Sequence, residues 1–267
     1  MNPPRPGPLQ RLLALACDIR PREAGATLAS FALVLVLMGA YYLLRPVRDA
    51  MASDWSDAQV SWLWTLTFFF SVAAVSLYGA AVTRLRFHHL VPAVYGFFAI
   101  TFVAFYLAAS GDDARPQWMD QAFYVWISVF SLFHISVFWS FMADIFSKPQ
   151  SQRLFGFIGA GASVGAIGGP ALVTLLAGSA GSEPLLLISA VLLVLILPLI
   201  TLLQRLKNTA LHNSDVSSDE RNLDYIGGNP LAGVAQCLRS PYLLGICLYI
   251  FLYTVLSAFV YFELKNL

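Results

Sequence analysis

The stretch FALVLVLMGAYYLLRPVRDA, residues Phe31 to Ala50, shows what kind of chain this is. It begins as an unbroken apolar run and ends with two arginines, Arg45 and Arg48, followed by Asp49. The run is part of an apolar segment long enough for a helix to cross the ~30 Å hydrocarbon core of a bilayer. The two cations at its end need a separate explanation.

The composition of the whole chain predicts a membrane protein. Of its 267 residues, 58% are hydrophobic and 12% are charged, whereas a soluble domain carries about 25% charged residues. So few charges cannot cover a globule of this size with polar surface. Apolar runs of about 20 residues, the length that spans a bilayer, recur along the sequence. Each is predicted to be a helix, because lipid offers no partner to an open backbone.

Seven membrane spans are predicted, which makes the chain an all-α polytopic transmembrane bundle. The first is not a signal peptide, because its apolar core is too long and a Pro- and Arg-rich lead precedes it. The three cysteines have neither disulfide nor metal spacing and are expected to be unpaired. The spans are Ala24–Leu44, Ala58–Ala81, Leu90–Ala109, Gln121–Ala143, Leu154–Gly178, Pro184–Leu203 and Tyr242–Phe262.

The spans divide the chain into four parts. Residues 1–23 form an N-terminal lead, 24–203 a set of six spans, 204–241 a polar central loop, and 242–262 the seventh span. Apolar residues recur at helical spacing near the end of the central loop, which predicts a short amphipathic helix on the membrane surface. These residues are Leu231, Val234, Ala235 and Leu238.

The basic residues predict the orientation of the spans. With a cytoplasmic N-terminus, twelve lysines and arginines outside the spans lie on the inner side. Apart from Arg45 and Arg48, the basic residue on the outer side is Arg115. Lys265 is also on the outer side if the seventh span crosses the membrane fully. Such an excess is typical of cytoplasmic loops. We therefore expect a multi-pass protein of the cell (inner) membrane, with the arginine pair at the outer end of the first span.

Two explanations of the arginine pair are open. In the first, the side chains reach the headgroups at the membrane surface and pair with Asp49. In the second, the helix continues through Pro46 and faces a water-filled pathway, so that Arg45 and Arg48 share a face and present two guanidinium forks. Such forks suit a phosphate or a carboxylate. Asp49, four residues after Arg45, would then hold that side chain when no substrate is bound.

A second distinctive segment, FWSFMADIFSKPQSQRLFGFIGAGASVGAIGGPAL, begins at Phe138. One span ends near Asp144, and Arg153 opens the next, which is dense in glycine and contains Pro170, where a bend is expected. Three glycines recur every four residues: Gly161, Gly165 and Gly169. They form one stripe on a helix and let a neighbouring backbone approach closely. Such a stripe suits either a helix that rocks against its partner or tight static packing.

The part ADIFSKPQSQRLFGFIGAGASVGAIGGP resembles the junction between the fourth and fifth helices of the major facilitator superfamily. Together with YYLLRPVRDA, it is similar to the ATP/ADP translocase (nucleotide exchange) branch, including bacterial members of unassigned substrate. The resemblance extends from about Ala24 to Leu267. It implies a six-helix N-terminal half followed by a seventh helix, and transport of an anionic small molecule by alternating access.

Two features depart from the pattern of that superfamily. In the loop GAAVTRLRFHHL, residues 79–90, Thr83 lies where an acid of the Gly, Asp and Arg gating pattern is expected. The superfamily implies twelve spans, whereas the seventh is the last one predicted before Leu267. We therefore expect a fragment or truncated product of a longer transporter. A natural half-transporter that dimerises is the less favoured alternative.

Other polar residues are candidates for the site. His134, in the middle of the fourth span, is interpreted first as a neutral side chain bonded to a neighbouring helix, and second as a proton carrier or substrate contact. Asp144 lies near the cytoplasmic edge, where a pair with Arg153 or a basic loop would lock a closed state. Tyr42, near Arg45, offers a ring for a nucleobase, and an interfacial position explains it equally well.

Three classes of function follow from these patterns. The favoured one is a secondary transporter that exchanges an organic anion, a nucleotide or other phosphate compound by resemblance, across the bilayer. The alternative is a non-transporting scaffold or sensor, or an inactive remnant. An intramembrane enzyme is disfavoured, because the spans hold no paired catalytic carboxylates, no HExxH and no Ser/His/Asp arrangement. No cofactor and no nucleic-acid partner is expected.

Overall fold

The computed structural model describes residues 19–82, 87–109, 116–176, 183–211 and 237–266, and the regular structure in these ranges is helical. Seven helices are long and apolar enough to cross a membrane. The all-α, seven-span prediction is therefore confirmed. The helices are α1 (Ala24–Ser53), α2 (Asp57–Val82), α3 (Phe87–Ala109), α4 (Gln117–Ile145), α5 (Lys148–Leu176), α6 (Glu183–Thr209) and α7 (Pro241–Asn266).

Some predicted features lie outside the described residues. They include most of the N-terminal lead, Thr83 with the two arginines that follow it, and most of the polar central loop. The amphipathic helix predicted there is also outside, apart from Leu238, which is exposed.

The helices extend beyond the apolar runs from which they were predicted. α1 continues past Leu44, through Pro46, and ends at Ser53, and α5 begins at Lys148 rather than Leu154. The reason is that an apolar run marks the limits of the hydrocarbon, whereas backbone hydrogen bonds continue until a cap ends the helix. Pro46 removes one of these bonds without ending α1.

Two short connections are fixed by the same capping pattern, a serine followed three residues later by a glutamine. At the start of α2, the backbone N–H of Ser56 donates to Gln59 Oε1 at 3.0 Å, and the N–H of Gln59 donates back to Ser56 Oγ at 3.3 Å. At the start of α5, the N–H of Ser147 donates to Gln150 Oε1 at 3.0 Å. These bonds satisfy N–H groups that a helix start leaves open.

α1 is the central helix of the bundle. It packs against α4, α5 and α6, and α3 packs against α6. Its side chains Leu33, Leu37 and Leu44 are fully buried. α4 contributes a second buried face that is rich in aromatic rings, including Phe130 and Phe138. The core of the described residues therefore lies along α1 and α4.

Contacts between the helices give their directions. Gly161 of α5 lies against Phe31 and Gly169 against Tyr42, so α1 and α5 run parallel. Ser189 of α6 donates to the carbonyl of Ala40 at 2.9 Å, and Leu206 lies near Gly25, so α1 and α6 run antiparallel. The helices thus alternate in direction, as successive membrane crossings require.

The alternation gives the bundle two ends. We call the end that holds the last turns of α1 and the first turns of α2 and α4 the Arg48 end. The end that holds the first turns of α1 and α5 is the Glu23 end. α7 packs little against the other helices, and none of its most apolar stretch is buried. Its ring contact with the six-helix part is at the Arg48 end, where Tyr261 lies 5.6 Å from Trp64.

Candidate functional site

The last turns of α1 bring the predicted arginines and their aspartate together. Because α1 continues to Ser53, Arg45 and Asp49 lie one turn apart on a continuous helix. Asp49 Oδ1 accepts from Arg48 Nε at 3.0 Å and from Arg48 Nη2 at 2.6 Å. Its other oxygen, Oδ2, lies 3.6 Å from Arg45 Nε. One carboxylate thus bridges two guanidinium groups, which leaves the cluster with one net positive charge.

The two arginines have different surroundings. The side chain of Arg48 is 14% exposed, whereas that of Arg45 is 45% exposed. Arg48 reaches α4, where its Nη1 donates to Ser128 Oγ at 3.3 Å and its guanidinium lies 5.3 Å from the ring centroid of Tyr124. Ser128 in turn donates to the carbonyl of Tyr124 at 2.8 Å. Arg48 is therefore held between two helices, and Arg45 is open to its surroundings.

Tyr42 lies beside Arg45, as its predicted role requires. Its hydroxyl accepts from Arg45 Nη1 at 3.3 Å, and its ring centroid is 5.4 Å from the guanidinium carbon. The ring also packs edge-on against Tyr41 at 5.1 Å. The same side chain thus positions the exposed arginine, and stacking of a nucleobase on it stays a prediction.

His134 lies deeper in the bundle and is 3% exposed. Its Nδ1 is 3.2 Å from the carbonyl oxygen of Phe130, and its Nε2 is 3.3 Å from Met38 Sδ on α1. Its ring stacks on Tyr41 with centroids 4.5 Å apart. Because a carbonyl only accepts, Nδ1 carries the proton of a neutral ring. This geometry favours the first interpretation, a histidine bonded to a neighbouring helix, and its contact with substrate stays a prediction.

The ion pair between Asp144 and Arg153 is absent from the described residues, and each has another partner. Arg153 Nη2 donates to Glu23 Oε1 at 3.0 Å, and Lys207 Nζ donates to Asp144 Oδ1 at 2.9 Å. The reason is the parallel packing of α1 and α5, which sets Arg153 against the start of α1, while α6 ends beside α4. The pairing of Asp144 with Arg153 is therefore corrected, whereas the alternative of a basic loop agrees with Lys207, which lies in the predicted central segment 204–241. The gating role stays a prediction.

Glu23, which the sequence analysis did not indicate as a site residue, connects the first turns of α1 and α5. It is 4% exposed and also accepts from Gln150 Nε2 at 3.3 Å. Burial alone would raise the pKa of Glu23. The hydrogen bonds and charge of Arg153, with those from the Arg20 N–H and Gln150, outweigh burial and hold the pKa below its ordinary value of 4.5.

The glycine stripe of α5 brings its backbone into close contact with α1. A Cβ at Gly161 would lie 2.6 Å from the carbonyl oxygen of Phe31, and one at Gly169 would lie 2.7 Å from Tyr42 Cβ. A Cβ at Gly165 would overlap the carbonyl of Leu35. The contact leaves no room for a single methyl group, which favours tight packing. Rocking of α5 stays a prediction, and Pro170 does not end the helix, which continues to Leu176.

Two apolar cavities of the bundle do not coincide with this site. Volumes of about 650 and 510 Å³ lie between α2, α3 and α4, and their walls are almost wholly apolar. Phe70 and Trp126 contribute to both, and none of the predicted site residues lines either one. Grooves of this composition suit lipid chains rather than an anion.

Residues that the sequence did not assign to the site complete the Arg48 end. Ser128 and Tyr124 contact Arg48 from α4, and Trp64 of α2 donates from Nε1 to the hydroxyl of Tyr124 at 2.8 Å. A signal was present, because Tyr124, Ser128 and Ser131 recur at helical spacing on one face of α4. It did not indicate which helix that face meets.

Comparison with known proteins agrees with this architecture. A sequence model described as Major Facilitator Superfamily matches residues 29–265, which is most of the chain. No curated protein and no solved structure matches the chain. The match begins within α1 and ends within α7, and it includes the arginine cluster. The protein is therefore a multi-pass membrane transporter of the major facilitator superfamily.

Proposed function

We propose that the protein exchanges an organic anion with a phosphate group, such as a nucleotide, across the cell (inner) membrane. The observation that carries the proposal is the cluster of Arg45, Arg48 and Asp49 at the end of α1. Two guanidinium groups and one carboxylate leave a net positive charge, and guanidinium forks match the oxygens of phosphate. The resemblance to nucleotide exchangers supports the same class of substrate.

The energetic balance of the cluster also supports anion binding. A guanidinium that is largely withdrawn from water, such as that of Arg48 at 14% exposure, is costly unless an opposite charge pairs with it. Asp49 offsets this cost for one arginine only. A bound oxyanion would neutralise the remaining charge, so its binding is favoured wherever water is excluded.

The two arginines would divide the task of binding. Arg48, held by Ser128 and Tyr124, provides a fixed fork at the boundary of α1 and α4. Arg45, which is three times as exposed, meets the anion first. Tyr42 would contact the remainder of the substrate. The N-terminus is proposed to be cytoplasmic, which puts this cluster in the outer half of the membrane.

The test is exchange of labelled ATP, ADP and inorganic phosphate by the full-length protein in proteoliposomes. Arg48→Ala and Arg45→Ala are each expected to reduce exchange by about tenfold to hundredfold, because hydrogen bonds to charged groups contribute about 1.5–3 kcal/mol. Arg48→Lys should recover part of the activity, since it keeps the charge but loses the fork.

Arg205→Ala is the matched control, because this arginine is exposed on α6, away from the cluster. It should insert and exchange like the unchanged protein. Unchanged exchange in both cluster variants would exclude the arginines from binding. Failure of the unchanged protein to move any of the three anions would favour a scaffold or sensor.

A further inference from the structure

We propose that Asp49 competes with the substrate for the two guanidinium groups, so that the site takes an anion that binds them more strongly than a carboxylate does, such as a phosphate dianion. The inference rests on the anion transport proposed above, because it concerns the same site. It adds a specificity-determining residue and a rule for the substrate class.

The geometry supports competition because Asp49 occupies the donors that an oxyanion would use. The Nε and Nη2 of Arg48 form the edge that binds an oxyanion with two parallel bonds. Both donate to Asp49 Oδ1, at 3.0 and 2.6 Å. The other carboxylate oxygen faces Arg45 Nε at 3.6 Å. A phosphate oxygen can take this edge only if the carboxylate leaves it.

Asp49 can leave at lower cost than Arg48. Its side chain is 33% exposed, whereas that of Arg48 is 14% exposed and is held by Ser128. A displaced Asp49 therefore keeps contact with solvent, while the guanidinium stays in place to receive the anion. Because the bound anion replaces Asp49 beside Arg48, the partly buried guanidinium is not left without an opposite charge.

Competition with a tethered carboxylate determines which anions can bind. A free monocarboxylate brings the same group that Asp49 already supplies, but without the advantage of being fixed close by on the same chain. A phosphate monoester, with a second pKa near 6, carries close to two negative charges at pH 7.5. Its second negative charge strengthens its attraction to the two guanidinium groups, so it can displace Asp49 where a monocarboxylate cannot.

The test compares phenyl phosphate with benzoate, two probes with the same ring and different anionic groups. Their dissociation constants are measured by calorimetry on the full-length protein in nanodiscs at pH 7.5. The unchanged protein should bind phenyl phosphate at least tenfold more tightly than benzoate. Asp49→Asn should tighten both by about tenfold or more, because neither probe then has to displace a carboxylate, and phenyl phosphate, as the dianion, should gain at least as much as benzoate.

Asp54→Asn is the matched control, because it removes the same charge from an exposed residue just beyond α1. Its dissociation constants should not change. Asp49→Ala provides a second variant with the same expected direction if Asp49→Asn does not fold. Asp49→Glu keeps the charge and should keep the preference for phosphate.

The outcomes separate the two proposals. If the unchanged protein binds phenyl phosphate and neither neutral variant binds more tightly, Asp49 is no competitor, while the anion site stands. If benzoate already binds as well as phenyl phosphate, the selection rule is wrong. If no protein binds either probe, and Arg48→Ala makes no difference, the anion site itself is wrong.

Discussion

Glu23 shows how one ionised residue joins two helices at their first turns. It precedes α1, and its carboxylate accepts from Arg153 and Gln150 of α5. A negative charge at a helix start is also favourable to the helix dipole. Because Glu23 is 4% exposed, its bonds are little weakened by water or salt.

The pKa of Glu23 gives the first prediction. Since the folded protein holds this pKa below 4.5, the unfolded chain binds the proton more readily, and the pair stabilises the fold above that value. At pH 7, Glu23→Gln should lower the free energy of unfolding by about 1.5–3 kcal/mol. As the pH falls below 4.5 and through the lower folded pKa, the difference should vanish.

The measurement is thermal unfolding in detergent micelles between pH 7 and pH 3. A double-mutant cycle with Arg153→Gln isolates the pair from other acidic groups. A difference between the two proteins that grows on acidification would contradict the proposed ionised state.

At the scale of the helix, α5 contains two kinds of glycine, those that contact α1 and those that do not. Gly165 faces α1, where an added Cβ would lie 2.9 Å from Met38 Cβ and 3.0 Å from the backbone nitrogen of Gly39. A methyl group at Gly168 would meet no atom of the described residues within 4 Å. Both are mid-helix glycines, so they differ in packing rather than in backbone conformation.

The second prediction compares alanine at these two positions. Gly165→Ala should destabilise the protein by about 1–3 kcal/mol or more, because rigid backbone must move apart to admit the methyl group. Gly168→Ala should be neutral or stabilise by up to about 1 kcal/mol, since alanine favours helix. Thermal unfolding of both variants checks this. Equal effects would show that helix propensity, and not the contact with α1, governs this stripe.

At the scale of the whole molecule, alternating helices assign each connection to one of two ends. Asp54 follows α1 at the Arg48 end, and Lys148 begins α5 at the Glu23 end. The excess of basic residues predicts that the Glu23 end faces the cytoplasm. The arginine cluster and the buried Glu23 pair would therefore lie near opposite membrane surfaces.

The third prediction concerns this orientation. With Cys17, Cys237 and Cys247 replaced by serine, Asp54→Cys should react with an impermeant maleimide in intact cells. Lys148→Cys, which is also exposed, should react only after the membrane is permeabilised. Labelling by mass shift on a gel measures both. The reverse pattern would invert the topology and move the arginine cluster to the inner half.

Much of the architecture follows from local properties of the sequence. The length of an apolar run determines whether a helix can span the bilayer, and the positions of Lys and Arg predict its orientation. The spacing of Gly161, Gly165 and Gly169 also fixes that they share one face. The apolar runs do not predict the last turns of α1 or the first turns of α5, because charged residues continue both helices beyond the hydrocarbon.

The partners of the charged groups depend on tertiary structure instead. Arg48 and Ser128 are 80 residues apart in sequence, and Glu23 and Arg153 are 130 apart. Periodicity shows which residues share a face, but it contains no information on which two faces meet. The sequence by itself therefore determined seven helices, a glycine stripe and an arginine pair. Only the packing of α1 against α4 and α5 decided that Ser128 holds Arg48 and that Glu23, rather than Asp144, pairs with Arg153.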